Sequence, residues 1–584
     1  MTTAPALPNT AAARFGSDVI AETLRDCDIP YVALNPGASF RGLHDSLVNY
    51  LGNRAPEILL CLHEEHAVAI AHGFAKVTGR PMAAAVHSNV GLMHATMAIF
   101  NAWCDRMPVM VLGATGPVDA AQRRPWIDWI HTSADQGALV RSYVKWDAQP
   151  ASVAAAREAV LRGTVLARSA PQGPVYINFD TETQEGPAPD QPFDDAARFL
   201  EVPTSGSSRT ALRDAADRLS QANRIVVLAG RVSRGKTGWH NRIALVEALG
   251  AEVITDTKVA AAFPTDHPAY SGDLRGRRGA EARAALAQAD VVLALDWVDL
   301  KGALDIAKPA GAAQVIRVTL DPHIHNGWSM DHQAHPPADL VIGADPDIFV
   351  ADLLDEMDLP RVSTYRAVDP ALRDRSGTHI DVERIAVELQ EALGDLSATL
   401  THVTLSWDGT FWPFRDPLDF LGSDGGGGLG AGPGHAIGAA LALRDMGSDR
   451  LPVAICGDGD FLMGVTALWT AVHHRIPLLM IVANNRSFYN DEVHQERVAR
   501  MRGRDVANKG VGIQMTDPGI ALADMARAQG CTAFGPVTDA SALHRVLLDA
   551  IAVTQAGGVA VVEVETEPGY PPALVNALTP TTKD

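Results

Sequence analysis

Three α/β domains, each a mostly parallel sheet flanked by helices, are what this sequence predicts, and three features predict them. Short β-branched runs alternate with Ala-rich stretches of helical period, the pattern of parallel strands joined by covering helices. Two polar or charged breaks divide that alternation into three blocks of similar size. The 584 residues are also too many for one core, at roughly 150 residues per domain.

In the first block, residues 1–185, YVALNPG, AAAVHSN, VMVLGAT and PVYINFD read as strands. QEGPAPDQPFDD and PTSGSSR read as a linker before the helical ALRDAADRLSQA. The central block, residues 205–355, has RIVVLAG, AEVITD, DVVLALD and QVIRVTLD as strands. The charged DEMDLPRVSTYRAVDPALRDRS leads into the third block, residues 375–570, with strands HVTLSWDG, LPVAICGDG, PLLMIVANN and GVAVVEVET. No short repeat period occurs, which excludes a solenoid.

With 47% hydrophobic and 20% charged residues, the chain has enough apolar side chain to bury several cores. Its net charge of −20 has the wrong sign for a phosphate backbone, so neither nucleic acid nor an anionic membrane is an expected partner. Cys27, Cys61, Cys104, Cys456 and Cys531 are too dispersed for a C-x-x-C metal pair or a disulfide framework, which suits a reducing compartment. MTTAPALPNTAAARFG lacks a basic start followed by an apolar stretch, and no run reaches the roughly 18 apolar residues of a membrane span. A cytoplasmic location is the expectation.

The most informative stretch is GDGDFLMGVTALWTAVHHRIPLLMIVANNRS, from Gly457 to Ser487. LPVAIC reads as a strand, Gly457-Asp458-Gly459 as a tight turn and PLLMIVA as the next strand. Between them VTALWTAVHH reads as a helix with Val465, Leu468, Trp469 and Val472 on one face. Strand C-terminal ends share one edge of the sheet in such a βαβ unit, so Asp458 and Asn485 can converge. Their oxygens and a backbone carbonyl near Ser487 would, with a diphosphate and water, complete the octahedral shell of magnesium. A lone G-D-G is more often a plain turn; the flanking strands and paired asparagines favour the ligand reading.

On these residues the sequence resembles the thiamine-diphosphate enzymes, whose signature is GDG followed at a distance by NN. The resemblance covers nearly the whole chain. It implies a pyrimidine-binding domain first, a central domain, and a diphosphate-binding domain last, with thiamine diphosphate and Mg2+ as cofactors. Asp458, the Asn485 side chain and the Ser487 main-chain oxygen become metal ligands. Gly457, Gly459, Asp460 and Phe461 fall within the cofactor-binding segment. Asp460 stands where that family often has a small or hydroxyl residue, and a carboxylate facing diphosphate would be repelled. It is expected to turn away.

The family also needs a carboxyl group beside a ring nitrogen of the aminopyrimidine. LHEEHAVAIAHGFAKVTGRP reads as a strand end and an amphipathic helix, with Val68, Ala71 and Ala75 inward and Gly79-Arg80-Pro81 as its stop. Glu64 matches the family's H-E-x-x position and is implied as the activating, catalytic carboxyl. Alone, His63, Glu64, Glu65 and His66 also fit a solvated helix start whose acids offset the dipole. Zinc fits less well, because H-E-E-H spaces its histidines three apart rather than four and no third ligand is evident. In GSDGGGGLGAGPGHAIGAALAL, glycines allow close approach before an apolar helix. By the resemblance, Leu429 wedges between the two cofactor rings and the Gly427 carbonyl accepts from the pyrimidine amino group.

His87, after the strand of AAAVHSNVGLMHATMAIFNAW, narrows the resemblance to the benzoylformate decarboxylase branch, where a histidine at this place is the acid/base. Acetolactate-synthase-like members carry small residues there. An imidazole, titrating near pH ~6.5, both gives and takes protons around neutrality, although a single histidine after a strand is more often structural. In NPGASF the serine position of that branch is Ala38, with Ser39 beside it, and LALDWVDLKG offers no counterpart of its middle-domain histidine. FYNDEVHQERVARMRGR places Glu492 and His494 on an expected short helix. Glu492 matches a proton-relaying glutamate of 2-hydroxyacyl-CoA lyases, while a charged helix is also commonly just solvated. Trp126, Ile127, Trp129 and His131 fit a pocket wall, a core or an interface.

The resemblance therefore implies carbon–carbon bond cleavage or formation on a small carbonyl substrate, with 2-oxo acid decarboxylation and carboligation first. A 2-hydroxyacyl-CoA or 2-hydroxy-ketone lyase, an acetolactate-type synthase and a non-catalytic cofactor-binding subunit stay open. It also implies a site shared between the first domain of one subunit and the third of another. The assembly is then a homodimer at minimum, with a homotetramer common in the family. The acyl group and any flavin or nucleotide in the central domain are left open.

Overall fold

The computed structural model describes residues 12–569 except 191, 257, 310, 312, 322–334, 368–376 and 424. The opening segment through residue 11, the expected start of the third block at 375, and residue 570 onward lie outside the described residues.

Three sheets form along the chain. The first contains β1 (Tyr31–Leu34), β2 (Glu57–Leu60), β3 (Met82–Val86), β4 (Val109–Thr115), β5 (Trp146–Ala148) and β6 (Val175–Asp180), in the order β2-β1-β3-β4-β6-β5. The second contains β7 (Ile225–Ala229), β8 (Glu252–Thr255), β9 (Tyr270–Gly272), β10 (Val291–Leu295), β11 (Gln314–Val318) and β12 (Leu340–Ile342), in the order β12-β11-β10-β7-β8-β9. The third contains β13 (Ala398–Val403), β14 (Leu451–Gly457), β15 (Leu478–Asn484), β16 (Thr532–Val537) and β17 (Val559–Glu565), in the order β13-β14-β15-β17-β16. Every pairing among these strands is parallel, so their carboxyl ends share an edge within each sheet.

The interior strands follow from sequence. β4 and β15 are apolar on both faces and buried at every position, as expected of strands covered by helices on each side. The sheet edges differ from expectation. β5, β9, β12 and β16 lie in segments the periodicity does not mark as strands, and β2 ends at Leu60, just before the strand end read at Leu62. The third-block strand expected at HVTLSWDG, residues 402–409, lies earlier, at β13, which shares only His402 and Val403 with it, and Gly409 opens a 3-10 turn, Gly409–Phe411.

The first and third domains meet along two helices, Glu64–Thr78 and Ala431–Asp445. Glu64–Thr78 ends where expected, at Gly79 in the left-handed region with φ 66°. It is not amphipathic: residues 66–77 are all buried, because its outer face is covered by the third-domain helix. The backbones approach through glycines. A Cβ on Gly438 would lie 1.9 Å from the Ile70 carbonyl oxygen, and one on Gly73 would lie 2.1 Å from that of His435. At the far end of the contact, Asp105 binds Lys76 Nζ at 2.8 Å and His72 Nε2 at 2.9 Å. Burial alone would raise the Asp105 carboxyl; Lys76 and His72 hold it down at about 2. Lys76 also donates to the Ser423 carbonyl, tying this helix to the glycine segment of the third domain.

Because the backbone oxygen of Ile70 cannot retreat into its own helix, Gly438→Ala is expected to overpack this contact. The cost is about 1–3 kcal/mol, seen as a lower melting midpoint than that of an exposed Gly343→Ala control.

Candidate active site

The third-domain site starts at two adjacent strand ends. β14 and β15 pair with Gly457 opposite Ala483, so Asp458 and Asn485 leave the sheet side by side. The expected tight turn is instead a strand-to-helix junction: Gly457 closes β14 and Asp458 opens the helix Asp458–Gly464. The helix Ala467–His473 follows, within the helix expected over VTALWTAVHH. Gly459 has to lack a side chain, since a Cβ there would sit 2.5 Å from the Phe488 ring.

Asp458 is 4% exposed. Its Oδ1 accepts from the Gly459 N–H at 2.8 Å and its Oδ2 from the Ser487 N–H at 3.2 Å. Asn485 Oδ1 accepts from the same Ser487 N–H at 2.9 Å, which brings the carboxylate and the amide oxygen together. Burial raises the Asp458 carboxyl above its usual range, partly offset by the backbone N–H donors around it. Among the described residues its hydrogen-bond donors are backbone amides, so its charge lacks a cationic partner. A buried carboxylate beside an amide oxygen and a turn carbonyl suits a hard divalent cation such as magnesium. The first asparagine of the NN pair has a different task. Asn484 donates to Glu563 at 2.9 Å and accepts from the Arg486 N–H at 3.1 Å, shaping the turn that presents Asn485.

Asp460 faces the glycine segment. Its Oδ1 accepts from the N–H groups of Gly430 at 2.7 Å and Gly432 at 3.4 Å, and its Oδ2 lies 3.0 Å from His402 Nε2. Although burial opposes it, His402 and these amides lower the Asp460 carboxyl below its usual range. Phe461 is fully buried in the core between the domains. Gly427 has φ 74° with open space where a Cβ would stand, and Leu429 is 48% exposed beside it. Both are free to face a ligand.

In the first sheet, β2, β1, β3 and β4 are consecutive neighbours, and their carboxyl ends lead to Glu64, Ser39, His87 and His131 respectively. Glu64 is buried at the start of its helix, which His63 caps by accepting from the Glu65 N–H at 3.1 Å. Gly91 makes room for Glu64, since a Cβ there would be 2.9 Å from Oε1. Glu64 Oε2 lies 3.0 Å from His94 Nδ1, and the His94 ring stacks on His63 at 4.9 Å. His94 supplies the neighbour that H-E-E-H lacks in sequence. Its only signal is its place seven residues after His87, two turns along one face of the helix Ser88–Cys104.

His87 sits against Gly37, where a Cβ would be 2.1 Å from the ring. Its Nδ1 is 2.8 Å from Ser39 Oγ, and the His131 ring lies edge-on at 4.9 Å. Burial, then His131, lowers its pKa from the usual imidazole value, with Glu64 opposing. Glu492 is buried, not solvated, on the helix Tyr489–Met501. It accepts from Ser487 Oγ and, at 3.0 Å, from Gln514 Nε2, a partner that sequence spacing does not reveal.

A separate cavity of about 930 Å³ lies at the carboxyl ends of the central strands, with Arg231, Arg234, Asp296, Trp297 and Arg275 in its lining. Beside it, Gly230-Arg-Val-Ser-Arg-Gly-Lys-Thr237 has the spacing of a phosphate loop. Its amides are already engaged: Gly230 and Arg231 donate to Leu295 and Asp296 carbonyls at 3.0 Å, and Ser233 donates to Asp347 at 2.8 Å. The spacing here builds a strand–helix turn.

Three family descriptions match in chain order: the thiamine pyrophosphate enzyme N-terminal TPP binding domain over residues 14–139, the central domain over 212–353, and the C-terminal TPP binding domain over 404–564. The chain belongs to the thiamine pyrophosphate enzymes. Benzoylformate decarboxylase of Pseudomonas aeruginosa is 26% identical over 442 residues, 74% of this chain and 79% of that protein. The acetolactate synthase isozyme 3 large subunit of Escherichia coli is 25% identical over 500 residues, 81% of this chain and 82% of that protein. The crystal structure of benzoylformate decarboxylase from Polynucleobacter necessarius superposes with a TM-score of 0.78 at 19% identity, over 96% of this chain and all of that one. As a thiamine pyrophosphate enzyme the protein carries its GDG and NN loops side by side at the ends of β14 and β15.

Asp458→Ala is expected to weaken magnesium-dependent binding of thiamine diphosphate by at least about 10–100-fold, the range for losing even an outer partner of a metal. Calorimetric titration of cofactor at fixed magnesium measures it.

Proposed function

We propose that this thiamine pyrophosphate enzyme uses thiamine diphosphate and Mg2+ to decarboxylate a 2-oxo acid, with carboligation as a second outcome. The observation that carries the reading is His87, an imidazole held by Ser39 at a strand end adjoining those of Glu64 and His131. A decarboxylation that ends in aldehyde release must deliver a proton to carbon, and an imidazole is the side chain suited to that near neutrality.

Asp458, the Asn485 side chain and the Ser487 main-chain oxygen would hold the metal and, through it, the diphosphate. Gly457, Gly459 and Phe461 shape that loop, and Gly427 and Leu429 would position the rings. Glu64 would hydrogen-bond the pyrimidine. When bound, the cofactor supplies a carbon nucleophile and an electron sink for the cleaved bond. Ser39 Oγ can donate to a bare Nδ1 of His87 or accept from a protonated one, so it supports the ring in either charge state and leaves Nε2 for proton transfer.

Glu492 supports a second reading, a 2-hydroxyacyl-CoA or 2-hydroxy-ketone lyase, because it is buried against Ser487 of the metal loop rather than solvated. The working unit is a homodimer or a homotetramer built from it, in the cytoplasm. Trp126 and Trp129, each 71% exposed, are surfaces that a second subunit would cover. Among the described residues no helix is long and apolar enough to cross a membrane.

Two measurements test this. With thiamine diphosphate and Mg2+, a panel of aliphatic and aromatic 2-oxo acids should release carbon dioxide; formyl-CoA release from 2-hydroxyacyl-CoA esters without carbon dioxide would favour the lyase. Glu64→Gln should slow exchange of the thiazolium proton into deuterated buffer by about 10²–10⁴-fold, the worth of a positioned acid/base group. Unchanged exchange would remove Glu64 from its assigned role.

A further inference from the structure

We propose that His402, Cys456 and Asp460 form a second metal site in the third domain, one that takes a tetrahedral divalent ion of the zinc class. The site is distinct from the magnesium position at Asp458 and independent of the reaction at the cofactor.

Three elements bring the ligands together. His402 stands near the end of β13, opposite Ala454 of β14. Cys456 lies two residues beyond Ala454, so both side chains leave the same face of the sheet, the one that the helix Ala431–Asp445 covers. Asp460 reaches in from the helix that opens after β14. A ring nitrogen of His402, the Sγ of Cys456 and a carboxylate oxygen of Asp460 all lie within 4.8 Å of one another, and all three residues are buried. Around a tetrahedral ion with bonds of about 2.0–2.3 Å, neighbouring ligand atoms stand about 3.3–3.8 Å apart. Small side-chain rotations bring the observed spacing to that value.

Gly432 keeps the centre of the cluster clear. A Cβ there would lie 2.1 Å from Asp460 Oδ2 and 2.9 Å from His402 Nε2. The Asp460 carboxylate divides its work: Oδ1 accepts from the amides of Gly430 and Gly432, while Oδ2 faces the cluster. Oδ2 is 3.0 Å from His402 Nε2, yet among the described residues no donor meets it at hydrogen-bonding geometry. Two ligand-type atoms that approach this closely without an aligned proton between them are arranged as neighbours on one ion are.

The donor set decides the class of ion. A divalent cation with one thiolate, one carboxylate and one neutral imidazole sums to zero charge, which a buried site needs. Binding sends the Cys456 thiol proton to solvent and breaks no other covalent bond. Thiolate and imidazole select zinc-class ions, whereas the oxygens of Asp458 and Asn485 suit magnesium. The fourth tetrahedral position is left to a non-protein ligand such as water. Because the cluster is buried, the ion is captured as the chain folds.

The test uses the full-length protein, expressed in minimal medium supplied with Zn2+ or Co2+ and purified in excess Mg2+ and thiamine diphosphate, so that the oxygen site is filled. Elemental analysis should find one zinc per chain. The cobalt protein should show a thiolate-to-cobalt charge-transfer band, which an ion bound only by oxygen cannot give. Cys456→Ser should abolish that band and lower zinc affinity by more than the about 10–100-fold that even an outer partner of a metal is worth; Cys531→Ser should keep both. If Cys456→Ser does not fold, X-ray absorption of the parent zinc protein decides, with sulfur at about 2.3 Å and nitrogen or oxygen at about 2.0–2.2 Å expected. A zinc-free parent, a cobalt spectrum without the thiolate band, a band that survives Cys456→Ser, or a zinc shell without sulfur overturns the proposal.

Discussion

The close contact between the helices Glu64–Thr78 and Ala431–Asp445 is the constraint on which the arrangement depends. Each helix begins at site residues: Glu64 opens one, and Gly430 caps the other beside Leu429. With glycine at positions 73, 434 and 438, the helices pack backbone against side chain or backbone, and dispersion and exclusion of water act over the whole length of the contact. A helix buried on nearly every side has little freedom to rotate, so the direction in which Glu64 leaves it is set by packing rather than by its own hydrogen bonds.

Both clusters also obey one topological rule. Parallel strands deliver their carboxyl ends to a common edge, and residues far apart in sequence meet there. In the third sheet this joins Asp458 to Asn485; in the first it lines up Glu64, Ser39, His87 and His131 across four neighbours. The loops after the strands are free to vary in length and chemistry because the sheet alone fixes their starting points.

How much of this was legible follows from the same physics. Interior strands such as β4 and β15 announce themselves because both faces are buried and every position but the last is apolar. The strands at all six sheet edges were absent from the pattern or displaced, as with β13, because an edge has only one neighbour and shorter or more polar segments satisfy it. GDG and NN were readable since their glycines and hard oxygens are local features. The partners Gln514 and His94 were not, because they reach Glu492 and Glu64 only through tertiary folding. Local spacing also misleads: the phosphate-loop pattern from Gly230 to Thr237 closes on carbonyls and Asp347 and leaves its first amides no anion to bind. The Asp460 position shows the converse, a departure from the family pattern that makes sense once Gly430, Gly432 and His402 are seen around it.

That carboxylate changes what the glycine-rich segment can be. A run of glycines suggests a hinge, yet the amides of Gly430 and Gly432 are latched by Asp460 from the neighbouring strand end, and Ser423 is latched by Lys76 from the opposite domain. Between these anchors Gly425, Gly426 and Gly428 lie against Asn101, Phe100 and Met97 with no room for a Cβ, so their missing side chains provide closeness to the first domain.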